Sequence, residues 1–157
     1  TIEQTKTSKS YAGNWICGAF GLFCAGYPPD IILQPELAPG KCWAFPGSQG
    51  QVVIRLPARI LPRALTMQHS SKMLSAGDDI STSPKDISIS GLDDEGQEIQ
   101  LGSFLFDPKK EQKQFFVLKN ELHKAFQYIK VNILSNWGSK EYTCLYHLKF
   151  HGKKSTG

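Results

Sequence analysis

No stretch of this 157-residue chain approaches the roughly 20 consecutive apolar residues of a membrane-spanning helix. The longest apolar run, Trp15 to Tyr27, has 13 residues and is interrupted by Gly18, Gly21 and Gly26. Charge of one sign is also scarce: 18 Lys+Arg stand against 14 Asp+Glu, and a net +4 is weak evidence for a nucleic-acid partner. The densest basic group, Lys109, Lys110 and Lys113, is broken by Glu111 beside Asp107 and reads as a solvated hairpin turn. His147 to Lys154 holds a second basic cluster and reads as a strand leaving the fold. No nucleic-acid role is expected. No charged segment with a cleavage site opens the chain at Thr1, so a domain of a longer protein is expected, with targeting signals elsewhere.

Signatures of catalysis are missing as well. His69 followed by Ser70 and Ser71 is the nearest approach to a nucleophile pair, but no orienting carboxylate or strained nucleophile turn accompanies it. His69 therefore reads first as a surface histidine. Asp78-Asp79 and Asp93-Asp94-Glu95 lie in turn sequence, where Asp serves local hydrogen bonding rather than acid–base work or calcium. His123, His147 and His151 show no metal-ligand spacing, and Pro46-Gly47-Ser48-Gln49-Gly50 is a plain turn rather than a phosphate cradle. The four cysteines, at 17, 24, 42 and 144, form no CxxC pair, so disulfides in an oxidising compartment are favoured over zinc, with buried free thiols as the alternative. No enzyme is expected.

What is present is a globular composition, 40% hydrophobic and 11% aromatic, at a length that suits one domain. From Gln51 onward the chain is punctuated by turn residues every ten to fifteen positions, and helical periodicity is hard to find. Strands are predicted at 51–56, 64–69, 86–91, 99–106, 114–118, 128–134 and 142–151, with one short helix at 119–126. In Asp86-Ile87-Ser88-Ile89-Ser90 the isoleucines face one side, and Ile129, Val131 and Ile133 repeat the pattern. The class is all-β, a two-sheet sandwich. Residues 30–41 read as a strand running into an ordered loop. Residues 1–10 read as the end of a stalk or linker, and 11–29, rich in glycine and aromatics, as a hairpin flap. Such a flap is either a contact surface or a hairpin folded on its own core. The sandwich is expected to occupy 30–153, with a disordered tail at 154–157.

Several segments together resemble the SUN domain, the luminal domain of inner-nuclear-membrane proteins. They are Pro39-Gly40-Lys41-Cys42-Trp43-Ala44-Phe45, Gly47-Ser48-Gln49-Gly50, Ser83-Pro84-Lys85-Asp86, Leu134-Ser135-Asn136-Trp137-Gly138, Glu141-Tyr142-Thr143-Cys144-Leu145-Tyr146 and Phe150-His151-Gly152. They stand in family order across about residues 29–152, and the pattern is more similar to the shorter germ-cell members, which implies a role in spermatogenesis. The resemblance implies a discoidin-like (galactose-binding-like) jelly roll with an N-terminal hairpin lid, a homotrimer held by an upstream coiled coil, and a location in the perinuclear lumen of the nuclear envelope, anchored in the inner nuclear membrane by segments outside this chain. Its implied partner is the C-terminal KASH peptide of a nesprin-like outer-nuclear-membrane protein, in a linker (LINC) complex joining nucleus to cytoskeleton. The excised domain is compatible with a monomer.

By the same resemblance, the peptide would add a strand beside the lid residues Trp15, Phe20 and Phe23 and insert its carboxylate tail among His69, Thr82, Tyr142 and Tyr146. The implied disulfide joins Cys42 to Cys144. A monovalent cation, potassium or sodium, would sit among the main-chain carbonyls of Ile31, Gln34, Glu36, Lys41 and Tyr146. Departures from the family pattern are also visible. Thr7 replaces the cysteine that crosslinks the peptide in long members, so a noncovalent complex is expected. Cys17 and Cys24 are extra lid cysteines, whether paired together or not. Lys41 stands where Asn is usual, Thr82 where Ser is usual, and Ser139-Lys140 replaces His-Pro. Competing readings are an autoinhibited or self-associating domain, and a glycan-binding sandwich using Trp15, Tyr27 and Trp137.

Overall fold

Period-two alternation buries one face of a strand, and such strands must stack face to face to exclude water. The computed structural model shows this arrangement and describes residues 2, 7–8, 29–34, 42–69 and 80–154. Among the described residues a short 3-10 turn, Pro29–Leu33, precedes eight strands: β1 (Trp43–Pro46), β2 (Gly50–Gln68), β3 (Asp86–Leu92), β4 (Glu98–Leu105), β5 (Lys113–Val117), β6 (Phe126–Ile133), β7 (Tyr142–Leu145) and β8 (His147–Lys154). The large sheet runs β4-β3-β6-β2-β5, with β8 also on β2, while β1 and β7 form a separate pair. All pairings are antiparallel.

β2 belongs to both layers of the sandwich. Gly50 to Arg55 pair with β6, whereas Ala64 to Gln68 lie between β5 and β8. The two layers meet at their far edges, where Phe104 of β4 stacks on Phe116 of β5 with centroids 4.7 Å apart and the Lys119 amide donates to the Leu101 carbonyl at 2.7 Å. Between them lie Val52, Ile54, Leu65 and Met67 of β2, Ile87 and Ile89 of β3, Ile129, Val131 and Ile133 of β6, and Trp43 and Phe45 of β1, all buried. Both alternating patterns read from the sequence point their isoleucines and valine inward. Ser90, assigned to the outer face, is buried instead, at the point where the β3–β4 register shifts. Residues near the N-terminus join the same structure: Ile2 is bridged to Ile54, and the Thr7 and Ser8 hydroxyls accept from the Val53 and Gln51 amides.

Four local expectations are corrected. Pro57 and Pro62 do not divide the 51–56 and 64–69 segments; the strand continues through both. Each proline lies in a stretch where the pairing register shifts, where a missing ladder N–H is tolerated. The 119–126 helix is a turn leading into β6, held by Asn120, whose side chain bonds both the amide and the carbonyl of Lys124. The 142–151 segment is two strands, because Tyr146 separates β7, paired with β1, from β8, paired with β2. β8 thus does not leave the fold. The start of the 30–41 segment is a 3-10 turn rather than a strand; 35–41, the flap at 11–28 and the end of the tail lie outside the described residues.

Candidate peptide-binding site

Cys42 precedes β1 and Cys144 lies in β7, and the β1–β7 register sets Ala44 opposite Cys144. That pairing brings the two cysteines into a disulfide, with Cα atoms 5.6 Å apart across a sequence separation of 102. Tyr146 packs on the disulfide and is 1% exposed, and the half-buried Tyr142 packs against the same cluster. The chain passes from one sheet to the other at Tyr146, whose ring is buried.

His69 follows the last residue of β2, and its amide donates to the Gln112 carbonyl at 2.8 Å. It is not a surface residue, being 1% exposed. Its ring meets Tyr146 edge-on with centroids 4.6 Å apart and an interplanar angle of 77°, and Phe106 lies 6.3 Å away. Burial holds the His69 pKa down at about 4, since desolvation penalises the imidazolium. Its Nε2 has no hydrogen-bond partner among the described residues. Thr82 joins the site through its main chain: its carbonyl accepts from the Cys144 amide at 2.8 Å. Thus His69, Thr82, Tyr142 and Tyr146, assigned to one pocket from three separated stretches of sequence, lie around one disulfide. A neutral imidazole beside tyrosines, in a site that excludes water, can hold a terminal carboxylate and stack on proline rings.

Of the implied cation ligands, Ile31, Gln34 and Tyr146 are described, while Glu36 and Lys41 are not. His147, next to Tyr146, donates from Nδ1 to the Ile32 carbonyl at 2.9 Å, which draws the 3-10 turn against the start of β8. Burial lowers the His147 pKa, the backbone bonds to Ile32 and Gln34 oppose this, and the charges of Lys149 and Lys113 add to the lowering. Among the described residues, no group of three or more His, Cys, Asp or Glu could hold a metal by side chains.

Trp15, Phe20, Phe23, Cys17 and Cys24 lie outside the described residues. Trp137 is already engaged: its indole N–H donates to the Phe106 carbonyl at 2.9 Å and the Lys85 ammonium sits 4.8 Å from the ring centroid. It is a poor free platform for a sugar. Phe106 and His147 were not singled out from the sequence as site residues. Phe106 ends a predicted strand and carries no polar signal, and the role of His147 depends on a turn 115 residues earlier.

The family model for the Sad1/UNC-like C-terminal region matches residues 23–154. SUN domain-containing protein 3 of Mus musculus is 43% identical over 159 residues, covering 97% of this chain and 49% of the relative. Sperm-associated antigen 4 protein of Homo sapiens is 39% identical over 161 residues, covering 99% of this chain and 37% of the relative. The chain thus spans half or less of these relatives. In fold it is similar to the family 32 carbohydrate-binding module of Streptococcus pneumoniae EndoD, with TM-score 0.66, 17% identity, and 83% and 88% of the two chains covered.

Proposed function

The chain belongs to the Sad1/UNC-like C-terminal family, the SUN domains, and from that premise we propose that it is a non-catalytic receptor in the perinuclear lumen for the C-terminal KASH peptide of an outer-nuclear-membrane protein. In this reading it works as a homotrimer carried by an upstream coiled coil and anchored in the inner nuclear membrane by segments beyond this chain. The observation that carries the reading is the convergence of His69, Tyr142 and Tyr146 on the Cys42–Cys144 disulfide, with the buried Nε2 of His69 lacking a partner among the described residues. An unsatisfied buried polar atom costs about 1–3 kcal/mol, and a peptide group that bonds it recovers that cost on binding. With its pKa near 4, His69 is neutral at neutral pH and offers a hydrogen bond without the cost of a buried charge. A potassium or sodium ion among the carbonyls of Ile31, Gln34, Glu36, Lys41 and Tyr146 would brace the turn beside the pocket. Three sites acting together supply strength through multivalency.

A second reading, the autoinhibited domain, draws on the same burial: His69 and Tyr146 are each 1% exposed, so a peptide tail reaches them only if the surface above opens. One titration separates the two. A KASH-type peptide with a free C-terminal carboxylate and its amidated twin are titrated into the domain, fused to a trimeric coiled coil and alone. Tight binding of the acid form by the trimer supports the receptor. No binding of either form by either protein overturns it in favour of the closed domain.

A further inference from the structure

The outer face of the β5–β2–β8 layer presents large apolar side chains beside unpaired backbone. Phe115 and Val117 of β5 are 63% and 67% exposed. The β2–β5 register sets Lys113, Phe115 and Val117 opposite Gln68, Thr66 and Ala64, and these in turn lie opposite His147, Lys149 and His151 of β8. The nine positions therefore share one face. Two contacts agree: Thr66 Oγ1 lies 2.7 Å from His151 Nε2, and the Phe115 and His151 rings are 5.7 Å apart.

The backbone of β5 has a definite polarity. The His69 amide donates to Gln112 and the Leu118 amide to Arg63, so the even-numbered residues of β5 direct their N–H and C=O groups toward β2. Because antiparallel ladders alternate, Lys113, Phe115 and Val117 direct theirs toward the opposite edge, along which no described strand pairs with 113–117, while just beyond β5 the Lys119 amide donates to Leu101 of β4 and closes that end. The free backbone groups and the exposed apolar side chains thus belong to the same residues. Electrostatics select what can lie there. β5 and β8 carry Lys113, Lys149, Lys153 and Lys154 and contain no Asp or Glu; Asp107 and Glu111 belong to the turn before β5, and Asp30 to the 3-10 turn. Pairing of two copies through β5 would bring no carboxylate to Lys113, whereas an acidic segment supplies one.

We propose that the free edge of β5 is a second docking site, which takes an extended acidic segment of a partner protein as an added strand, with its apolar side chains on Phe115 and Val117 and its carboxylates toward Lys113. This is strand addition along an edge that starts beside the His69–Tyr146 pocket, since Lys113 lies opposite Gln68 and the His69 amide bonds Gln112, but it uses the outer backbone of β5 and does not rest on the function proposed above.

The test uses the whole chain and a short peptide alternating Glu and Val, blocked at both ends, titrated by fluorescence anisotropy. Binding is expected, weaker at high salt, and lost by roughly tenfold or more in Phe115→Asp and Val117→Asp, whose side chains are exposed enough for the fold to persist. N-methylation of alternate peptide residues is expected to abolish binding in one of the two registers, a readout that needs no variant protein. Equal binding of a Lys-for-Glu peptide, or indifference to both substitutions and to N-methylation, overturns the proposal. So does either of two other results: concentration-dependent self-association that Phe115→Asp removes, which makes a second copy the occupant, or pelleting with phosphatidylserine vesicles without peptide binding, which makes a membrane the occupant.

Discussion

At the scale of the residue, His69 couples stability to pH. Its pKa is held at about 4 in the folded chain against an ordinary 6.5, so the unfolded chain binds the proton more readily. The sign follows: the full contribution is present above pH 6.5 and is lost as the pH falls toward 4, an effect of about 3 kcal/mol if the shift is taken whole. Urea unfolding of the wild type and of His69→Phe at pH 7.5 and 4.5 should show a smaller loss on acidification in the variant; equal losses would remove His69 as the source. His147 is lowered in the same direction and contributes to what remains. Tyr146→Phe is expected to weaken the acid-form KASH peptide by about 0.5–1.5 kcal/mol in the titration above, the net value of one hydroxyl hydrogen bond. Residue types at the pocket were legible through the segment around Tyr142-Thr143-Cys144-Leu145-Tyr146, but the burial of His69 was not. A histidine at a strand end followed by two serines looks solvated, but Tyr146 and Phe106, far along the chain, pack against it.

At the scale of the element, close approach decides more than propensity does. Gly152 of β8 passes so near the Leu61 carbonyl of β2 that a Cβ there would overlap backbone. Backbone cannot rotate away as a side chain can, so Gly152→Ala should cost about 1–3 kcal/mol in thermal unfolding, the usual range for overpacking. Lys153→Ala is the control, since that neighbouring side chain is exposed. A melting temperature lowered no more at 152 than at 153 would refute the close contact. Strand existence was legible from alternation in β3 and β6, where one face is wholly buried. Strand limits were not legible in β2 or at Tyr146. A proline breaks a ladder only if its N–H would have been used, and whether two strand segments share a sheet depends on partners that local sequence does not name.

At the scale of the whole molecule, the Cys42–Cys144 disulfide ties β1 to β7 across 102 residues of sequence. A loop of that length corresponds to roughly 3–5 kcal/mol in the loop-entropy model. Cys42→Ser should therefore lower the melting temperature of the oxidised protein markedly, while leaving it close to that of the reduced wild type. Equal melting of oxidised wild type and variant would argue against the bridge in solution. The bridge also underlies Tyr146, so the same variant is expected to loosen the proposed peptide pocket together with the fold.

The sequence by itself determined the all-β class, the inward faces of β3 and β6 and the membership in a family, because alternation and short motifs are local and survive in a linear string. Only the tertiary structure decided that one long strand serves both layers, that β7 and β8 part company at Tyr146, that His69 is buried against that tyrosine, and that β5 ends the sheet with its apolar face uncovered among the described residues. Each of those facts depends on which distant segment lies alongside. That choice is made by the packing of a shared core, which no stretch of the chain contains alone.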